Sequence, residues 1–313
     1  MKFCRFLHRA AAKVGLILED GERVISLEEP SRVFCKRGSK NYIPRTAFRD
    51  IASLSKYGDS ALDIASKILQ SAEENKFKKY VYNLNEVKIL PPVGNPSKII
   101  CAALNFEVYR EQLGFEYLEV PMIFLKSPTS LIGHMDPIEI PIGYGTIYHE
   151  WELACIIGSK CYGVSEDDAE QYIFGYTILD DITGHDLEMK TFLLQPLGKN
   201  MNTFAPLGPF VVTPDQVGNV NNLRMIRRRN GVVESEGNTS QMRFKMNEII
   251  AYISTFMTLN PGDVISGGSP PTGPIFPGDV IEAEIENIGV LKNPVVARKV
   301  RTDYAKRLGL LKE

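Results

Sequence analysis

The 313-residue sequence lacks the long apolar runs and the cysteine spacings that mark membrane and secreted proteins. No segment reaches the roughly 18 apolar residues that a membrane span needs, and no N-terminal apolar stretch leads into a small-residue cleavage site. The five cysteines are odd in number and none are spaced as CxxC, which argues against a disulfide framework and a cysteine zinc site. We therefore expect a cytoplasmic protein with no membrane partner.

An excess of charge of one sign is also missing. The 36 Lys and Arg residues and the 38 Asp and Glu residues leave a formal charge of −2. Because the basic residues are spread along the chain, we expect no nucleic-acid partner. The one basic stretch, residues 224–229, precedes the hairpin-turn pair Asn230 and Gly231, which predicts a strand with a solvated basic edge.

A proline-rich stretch divides the chain. Three prolines and a glycine between residues 91 and 96 exclude a helix or a central strand there. Before it, alternating residues at 13–27 predict a β-hairpin, and helical spacing at 45–76 predicts helices. We therefore predict a small N-terminal α/β domain over residues 1–93 and a larger domain over residues 94–313.

The sequence pattern of the larger domain predicts mainly β-strands. Short apolar runs bounded by Gly and Pro predict strands at 98–102, 153–157, 172–179 and 209–213, and residues 280–288 alternate as in a half-buried strand. Helical patterns are few, at 165–169, at 247–256 and in the final stretch 298–313. The predicted fold class is α+β and rich in β-strands.

The most informative pattern is a pair of glutamates. In a strand, Glu150 and Glu152 project to the same face, and a second apolar strand ends shortly afterwards at Asp181. Three carboxylates suit a hard ion such as Mg²⁺ or Mn²⁺. A solvated strand face has the same spacing, as at Glu282 and Glu284, so both interpretations stay open on the residues alone.

At this point the sequence resembles the fumarylacetoacetate hydrolase superfamily over roughly residues 95–297. The resemblance rests on several short motifs in the family's order and at compatible spacing, together with Lys199: residues 98–105, 121–130, 150–153, 175–183, 203–209, 230–231, 237–239 and 259–265.

The resemblance implies a catalytic domain of the family's mixed β-roll type and a homodimer in the family's manner. It implies an enzyme that acts on a small-molecule 2-oxo acid through a metal-stabilised enolate, with Mg²⁺ or Mn²⁺, or else Ca²⁺, as cofactor. The implied metal ligands are Glu150, Glu152 and Asp181. The implied catalytic lysine is Lys199, and the implied substrate-binding residues are Lys126, Asn105 and Ser269.

The sequence departs from the family pattern after Asn105. Members that cleave or decarboxylate carry a His and a Glu three residues apart there, whereas this sequence has Tyr109 and Gln112. Tyr109 is then expected to contact the substrate. Residues 106–111 are similar to the YExxRE-like stretch of the 2-keto-3-deoxy sugar-acid dehydratase branch, which implies Glu107 or Glu111 as the proton-transfer group and Arg110 as the residue that holds a substrate carboxylate.

These departures favour a lyase-type reaction, which is a dehydration, a hydration or an isomerisation. The alternatives are a hydrolase or decarboxylase of acylpyruvate or oxaloacetate type with a substitute base, and an impaired protein that only binds a keto acid. Among the histidines, His149 is predicted to be packed in the core. His134 and His185, the latter at a position where the family has Arg, are weaker candidates for the site.

Overall fold

The computed structural model describes residues 1–35, 38 and 42–311. The described residues form twenty strands. Their bounds are β1 Lys2–His8, β2 Ala11–Ile17, β3 Arg23–Ser26, β4 Val81–Asn83, β5 Lys88–Leu90, β6 Ile99–Ala103, β7 Met122–Lys126, β8 Leu131–Ile132, β9 Ile138–Pro141, β10 Ile147–His149, β11 Trp151–Ile157, β12 Ile173–Asp180, β13 Thr183–Gly184, β14 Ala205–Val212, β15 Arg224–Arg229, β16 Val232–Asn238, β17 Val264–Ser266, β18 Gly273–Ile275, β19 Val280–Ile285 and β20 Gly289–Arg298.

The α-helices are short, and within the described ranges α3 is the longest at 16 residues. They are α1 Ser31–Phe34, α2 Ile51–Ser55, α3 Gly58–Glu73, α4 Glu107–Gln112, α5 His185–Lys190, α6 Gln195–Lys199, α7 Pro214–Val217, α8 Met246–Ser254 and α9 Asp303–Arg307. None of these helices has both the length and the hydropathy of a bilayer span, which takes about 20 residues.

Three sheets make up the fold. The largest has the strand order β4-β3-β2-β1-β14-β12-β11-β17-β6-β7, with β5 beside β1 and β8 beside β14. A second has the order β13-β10-β18, and a third has the order β16-β15-β19-β20-β9. The β-rich α+β class is therefore confirmed.

The N-terminal strands continue the main sheet, because β1 pairs with β14 antiparallel and aligns Lys2 with Val212. One hydrophobic core packs α3 against this sheet, with Ile64, Ala65 and Ile68 buried beside Phe3 and Val211. The boundary predicted at residue 93 stays a prediction.

Most predicted elements are found. The N-terminal hairpin is β2–β3, the basic stretch is β15, and Asn230 and Gly231 form its turn with positive φ angles of 54° and 77°. The helix predicted at 165–169 is wrong, because these residues form a turn followed by a 3₁₀-helix at Ala169–Tyr172. The C-terminal helix is confined to Asp303–Arg307, and residues 312–313 of that prediction lie outside the described residues.

Two adjacent strands bring the acidic residues together. Strand β11 is buried along its whole length and pairs antiparallel with β12, so that Trp151 lies opposite Asp180. Glu150 directly precedes β11 and Asp181 directly follows β12, and the Asp181 amide donates to the Glu150 carbonyl over 2.8 Å. The sheet register therefore places the acidic ends of both strands side by side.

Candidate metal centre and active site

Glu150, Glu152 and Asp181 form a buried carboxylate cluster. One oxygen of each lies within 4.8 Å of the others, and the three residues are 8%, 1% and 0% exposed. Burying three like charges is costly unless cations compensate them. The geometry is thus that of a site built for positive charge.

Glu152 is fixed by the loop after β17. One of its oxygens accepts hydrogen bonds from the Ser266 hydroxyl and from the Gly268 amide, the latter over 3.2 Å. Gly268 has a φ of +86°, a conformation that favours glycine, and a Cβ there would lie 3.0 Å from the Ala102 carbonyl. The glycine therefore allows a backbone N–H to approach this carboxylate.

Two buried lysines compensate part of the negative charge. The Lys126 ammonium donates to one oxygen of Asp181 and, over 2.6 Å, to the Lys199 carbonyl. The Lys199 ammonium donates to Glu150 over 2.9 Å, to Asp181 over 2.6 Å and to the Thr183 hydroxyl over 2.7 Å. Both predicted lysines therefore contact the carboxylate cluster.

Lys199 reaches the cluster because α6 packs closely on β13. A Cβ on Gly198 would lie 3.0 Å from the Gly184 carbonyl, and a Cβ on Gly184 would lie 3.2 Å from the Gly198 Cα. Two glycines let the two backbones approach without side chains between them.

The electrostatics follow from burial and from these contacts. Burial raises the pKa of Glu150 to about 8 and raises the pKa of Glu152 well above its ordinary value. Burial would also raise the pKa of Asp181, but Lys126 and Lys199 hold it below its ordinary value. Burial alone would lower the pKa of Lys199, but Asp181 and Glu150 raise it well above the usual range, so the side chain is an ammonium.

The residues present fit a hard divalent ion. The donors are carboxylate oxygens, which Mg²⁺ and Mn²⁺ prefer. Three carboxylates face two ammonium groups, which leaves one negative charge of the cluster uncompensated. Glu150, Glu152 and Asp181 could hold such an ion.

Glu150 and Glu152, two of the three cluster residues, line the polar end of a cavity of about 320 Å³. Tyr109 and Ser269, both predicted to bind substrate, line it, and burial raises the pKa of Tyr109 so that its phenol stays protonated. The lining residues are Ala102, Ala103, Leu104, Tyr109, Leu113, Phe115, Met122, Ile123, Phe124, Glu150, Glu152, His185, Glu188, Met189, Thr191, Gln195, Lys199 and Ser269.

Six predicted site residues do not line the cavity. Asp181 and Lys126 are paired with each other in the buried charge network, and four others, between residues 105 and 111, also lie outside the lining. Glu107 and Glu111 are exposed on α4, and Arg110 donates to the Phe115 carbonyl and to Glu111 instead of facing the cavity. The buried amide of Asn105 donates to the Phe244 and Gly267 carbonyls over 2.9 Å and 2.8 Å. The structure thus brings none of the four to the cavity, and Asn105 anchors two loops.

Sequence reasoning missed Glu188. It lines the cavity with its neighbours on one face of α5, His185 and Met189, and its carboxylate lies 3.9 Å from the Lys199 ammonium. The signal was present as the Asp–Leu–Glu run at 186–188, although nothing in the sequence told which of its carboxylates faces the site. Asp186 instead accepts from the Thr146 amide over 3.0 Å.

The three histidines considered from the sequence lie in different surroundings. His149 is fully buried, as predicted, and its Nδ1 lies 2.7 Å from an Asp180 oxygen. His134 accepts from the Lys292 amide and lines another cleft. His185 stacks on Tyr148 with ring centroids 4.0 Å apart, and burial lowers its pKa, so a neutral imidazole lines the cavity.

Comparison with known proteins connects this geometry to a family. The model of the fumarylacetoacetate (FAA) hydrolase C-terminal family matches residues 98–296. The chain is 36% identical over 293 residues to the mitochondrial oxaloacetate tautomerase fahd2 of Xenopus laevis, covering 91% of this chain and 86% of that protein. It is 33% identical over 298 residues to the human mitochondrial oxaloacetate tautomerase FAHD2A, covering 92% and 89% of the two proteins.

Solved structures with a similar fold include an isomerase and a hydrolase. A 5-carboxymethyl-2-hydroxymuconate delta-isomerase from Mycobacterium smegmatis superposes with a TM-score of 0.72 at 27% identity, over 95% of this chain and 100% of that chain. A maleylpyruvate hydrolase from Sphingobium sp. SYK-6, in complex with manganese(II) and pyruvate, superposes with a TM-score of 0.74 at 25% identity, over 96% and 100%. The similar proteins thus include tautomerases, isomerases and hydrolases.

Proposed function

The chain belongs to the fumarylacetoacetate hydrolase family, and from this premise we propose that it is a tautomerase, an enzyme that interconverts the keto and enol forms of a small 2-oxo acid. The observation that carries the proposal is the Glu188 carboxylate, which lines the cavity 3.9 Å from the Lys199 ammonium and beside the buried carboxylate cluster. This arrangement supplies a proton acceptor next to stabilising positive charge.

The missing His–Glu pair supports proton transfer over bond cleavage. Tyr109 lines the cavity as a protonated phenol, and Gln112 is exposed and does not line it. Cleaving a carbon–carbon bond with water needs a base that activates the water, whereas tautomerisation needs only a base at carbon and an acid at oxygen. The relatives named oxaloacetate tautomerase agree with this choice.

Mg²⁺ or Mn²⁺, or else Ca²⁺, is the proposed cofactor, held by Glu150, Glu152 and Asp181. When bound, such an ion supplies Lewis-acid stabilisation of negative charge on the 2-oxo group. The related maleylpyruvate hydrolase was solved with manganese(II). Lys126 would hold Asp181 in place through its hydrogen bond.

In the proposed proton transfer, three side chains of the cavity have separate roles. Glu188 takes the proton from C3 as the C3–H electron pair becomes the C2=C3 bond and the C2=O π pair moves to oxygen. Glu188 then gives this proton to the oxygen on C2, to which the phenol of Tyr109 donates a hydrogen bond. The ammonium of Lys199 adds positive potential where negative charge develops. The apolar lining keeps bulk water from the reacting carbon.

A second candidate, hydrolysis with a substitute base, is favoured by one observation. His185 is the histidine that lines the cavity within the described part of the chain, and its lowered pKa leaves it able to accept a proton. In that case the substrate would be an acylpyruvate, and water would be the nucleophile. An impaired protein that only binds a keto acid would show neither activity.

The test follows the enol absorbance of a 2-oxo acid after it is added to protein freed of metal and then supplied with Mg²⁺ or Mn²⁺. We expect ion-dependent acceleration of tautomerisation and little cleavage of an acylpyruvate. Rapid acylpyruvate cleavage without tautomerisation would replace the proposal by the hydrolase, and binding with neither reaction would leave only the binding protein.

Assembly and location complete the proposal. We propose a homodimer, and the apolar side chains of β7 offer a physical route: this strand ends the main sheet, and its Met122 and Leu125 are 39% and 51% exposed. Sedimentation at micromolar concentration tests this assembly. A cytoplasmic location stays a proposal as well, and the Xenopus and human relatives are named mitochondrial.

A further inference from the structure

The cavity that holds the carboxylate cluster is polar at one end and rich in hydrocarbon elsewhere. Nine of its eighteen lining residues are Ala, Leu, Ile, Met or Phe. They come from separate elements, with Leu104 following β6, Met122 and Phe124 on β7, Leu113 following α4 and Met189 on α5. Residues on or next to two strands and two helices thus form one apolar surface, which is the usual design for holding the uncharged part of a ligand.

The same cavity offers no cation for a second substrate carboxylate. Among the lining residues that the structure describes, the only cationic side chain is Lys199. An ammonium has three N–H donors, and those of Lys199 are directed at Glu150, Asp181 and Thr183. No donor of this lysine is left over for a distant carboxylate.

The nearby arginines are turned to other partners. Arg110 donates to the Phe115 carbonyl over 2.5 Å and pairs with Glu111. The guanidinium of Arg243 lies 4.9 Å and 4.8 Å from the ring centroids of Tyr117 and Phe244. Neither arginine is among the residues that line the cavity.

The charge balance leads to the same conclusion. Four carboxylates, those of the cluster and of Glu188, face the two ammonium groups of Lys126 and Lys199, so a divalent ion brings the site to neutrality. A 2-oxo acid with one carboxylate then leaves a single negative charge, while a dicarboxylate leaves two. Juxtaposed like charges in a desolvated site are strongly unfavourable.

On the premise of the tautomerase function, we propose that this cavity selects 2-oxo acids with one carboxylate and an apolar alkyl or aryl group on C3, and selects against dicarboxylates. A volume of about 320 Å³ lies at the lower end of the range for pockets that hold drug-sized molecules, which leaves room for an aryl group. In the reaction, the C3–H bond breaks, its electron pair forms the C2=C3 bond, the C2=O π pair moves to oxygen, and Glu188 receives the proton and passes it to that oxygen.

Binding tests the selection without enolisation, with the loss of CO₂ from the diacid in the presence of Mn²⁺ measured separately and subtracted. The Mn²⁺-loaded protein is titrated by calorimetry with 3,3-dimethyl-2-oxobutanoate and with 2,2-dimethyl-3-oxobutanedioate. Neither can enolise, and they differ by a methyl group in place of a carboxylate. We expect the monoacid to bind at least about tenfold more tightly, given the cost of an unmatched charge. Tighter binding of the diacid, or binding of neither, overturns the inference.

Turnover separates this inference from the proposed function. Phenylpyruvate should be tautomerised with a kcat/KM at least about tenfold above that of oxaloacetate. Faster turnover of oxaloacetate overturns the selectivity and leaves the tautomerase standing. Failure to turn over either acid overturns the tautomerase, and the two non-enolising ligands then still decide the selectivity.

A charge placed on the apolar surface sharpens the test. Met122→Arg should raise the oxaloacetate to phenylpyruvate ratio of kcat/KM by about tenfold or more, because it supplies the missing counter-charge. Val120→Arg is the matched control, since it introduces the same residue two positions before Met122, at an exposed position outside this cavity. An equal change in both variants, or no change in the ratio for Met122→Arg, contradicts the inference.

Discussion

Glu150 and Glu152 flank the first residue of β11, and Glu282 and Glu284 lie on β19 with the same spacing. In the first pair the residues are 8% and 1% exposed, whereas the side chains of the second pair are 16% and 32% exposed. Each glutamate on β19 has a cation of its own, Lys292 at 2.7 Å from Glu282 and Arg228 beside Glu284.

The difference lies in how charge is matched. On β19, one cation meets one carboxylate at the surface, where water completes the solvation. At β11, Lys126 and Lys199 are shared among three buried carboxylates, and both of them contact Asp181. An identical spacing of glutamates therefore becomes a candidate metal centre only where the strand is buried and the cations are too few.

The strongest test of this comparison replaces one glutamate of each pair by glutamine. Glu152→Gln should weaken Mn²⁺ binding by at least about 100-fold and reduce turnover similarly, since even residues that only support ligands cost 10–100-fold. Glu284→Gln should change neither. Calorimetric titration of both variants with Mn²⁺ measures the effect, and unchanged affinity in Glu152→Gln would remove the metal centre from the proposal.

The second test asks which carboxylate moves the proton. Glu188→Gln should reduce kcat by about 10²–10⁴-fold, the range for a positioned base, with metal affinity nearly unchanged. Glu111→Gln and Glu107→Gln are the matched controls, because both glutamates are exposed outside the cavity. Full activity in Glu188→Gln together with a large loss in either α4 variant would return the role to the helix that the sequence favoured.

The clustering of the three carboxylates could be predicted from the sequence because strand geometry is local. Period-two spacing puts Glu150 and Glu152 on one face wherever the strand lies, and the apolar run up to Leu179 places Asp181 at the end of a neighbouring strand. The resemblance to a family then chose between a site and a solvated face. Burial, which separates this pair from Glu282 and Glu284, is a tertiary property.

Helix orientation could not be predicted in the same way. A six-residue helix such as α4 carries too few apolar residues to fix its buried face, and it turns Tyr109 inward while Glu107 and Glu111 face outward. Likewise, α5 presents Glu188 only because its contacts with β13 and α6 orient it. Both assignments depend on contacts distant in sequence.

The fold shows the same limit at two places. At 165–169 the Ser165 hydroxyl accepts from the Asp168 amide, as in a helix N-cap, but the chain continues as a turn and a 3₁₀-helix at Ala169–Tyr172 and enters β12 at Ile173, so no α-helix forms. The pairing of β1 with β14 joins residues about 210 positions apart, which no local pattern specifies. Strand positions, by contrast, followed from alternation and turn residues.

The number of protons released when an ion binds tests the charge state of the buried glutamates. Because burial raises the pKa of Glu150 to about 8 in the metal-free protein, this carboxyl holds a proton at neutral pH and must lose it to bind an ion. This group should therefore make Mn²⁺ affinity rise about tenfold per pH unit below pH 8, and its contribution should disappear above that value.

Calorimetry in buffers of different ionisation enthalpy counts the protons. The number released per ion should fall by one as the pH rises through about 8, and Glu284→Gln should show the same profile as the unmodified protein. A count that is constant from about pH 6.5 to about pH 9.5 would mean that Glu150 is ionised without the ion, and the contrast between the buried and exposed pairs would lose its electrostatic basis.

The smallest expected effect is on the free energy of unfolding, through the partly exposed ion pair on β19. Arg228 and Glu284 form an ion pair with side chains 22% and 32% exposed, so water screens the attraction. A double-mutant cycle with Arg228→Gln and Glu284→Gln, measured by urea unfolding, should give a coupling free energy of about 0.5 kcal/mol. The coupling should decrease further at about 1 M salt, where the screening length is about 3 Å. A coupling of several kcal/mol that persists in salt would place β19 with the buried pairs, and the difference between the two glutamate patterns would then need a cause other than solvent exposure.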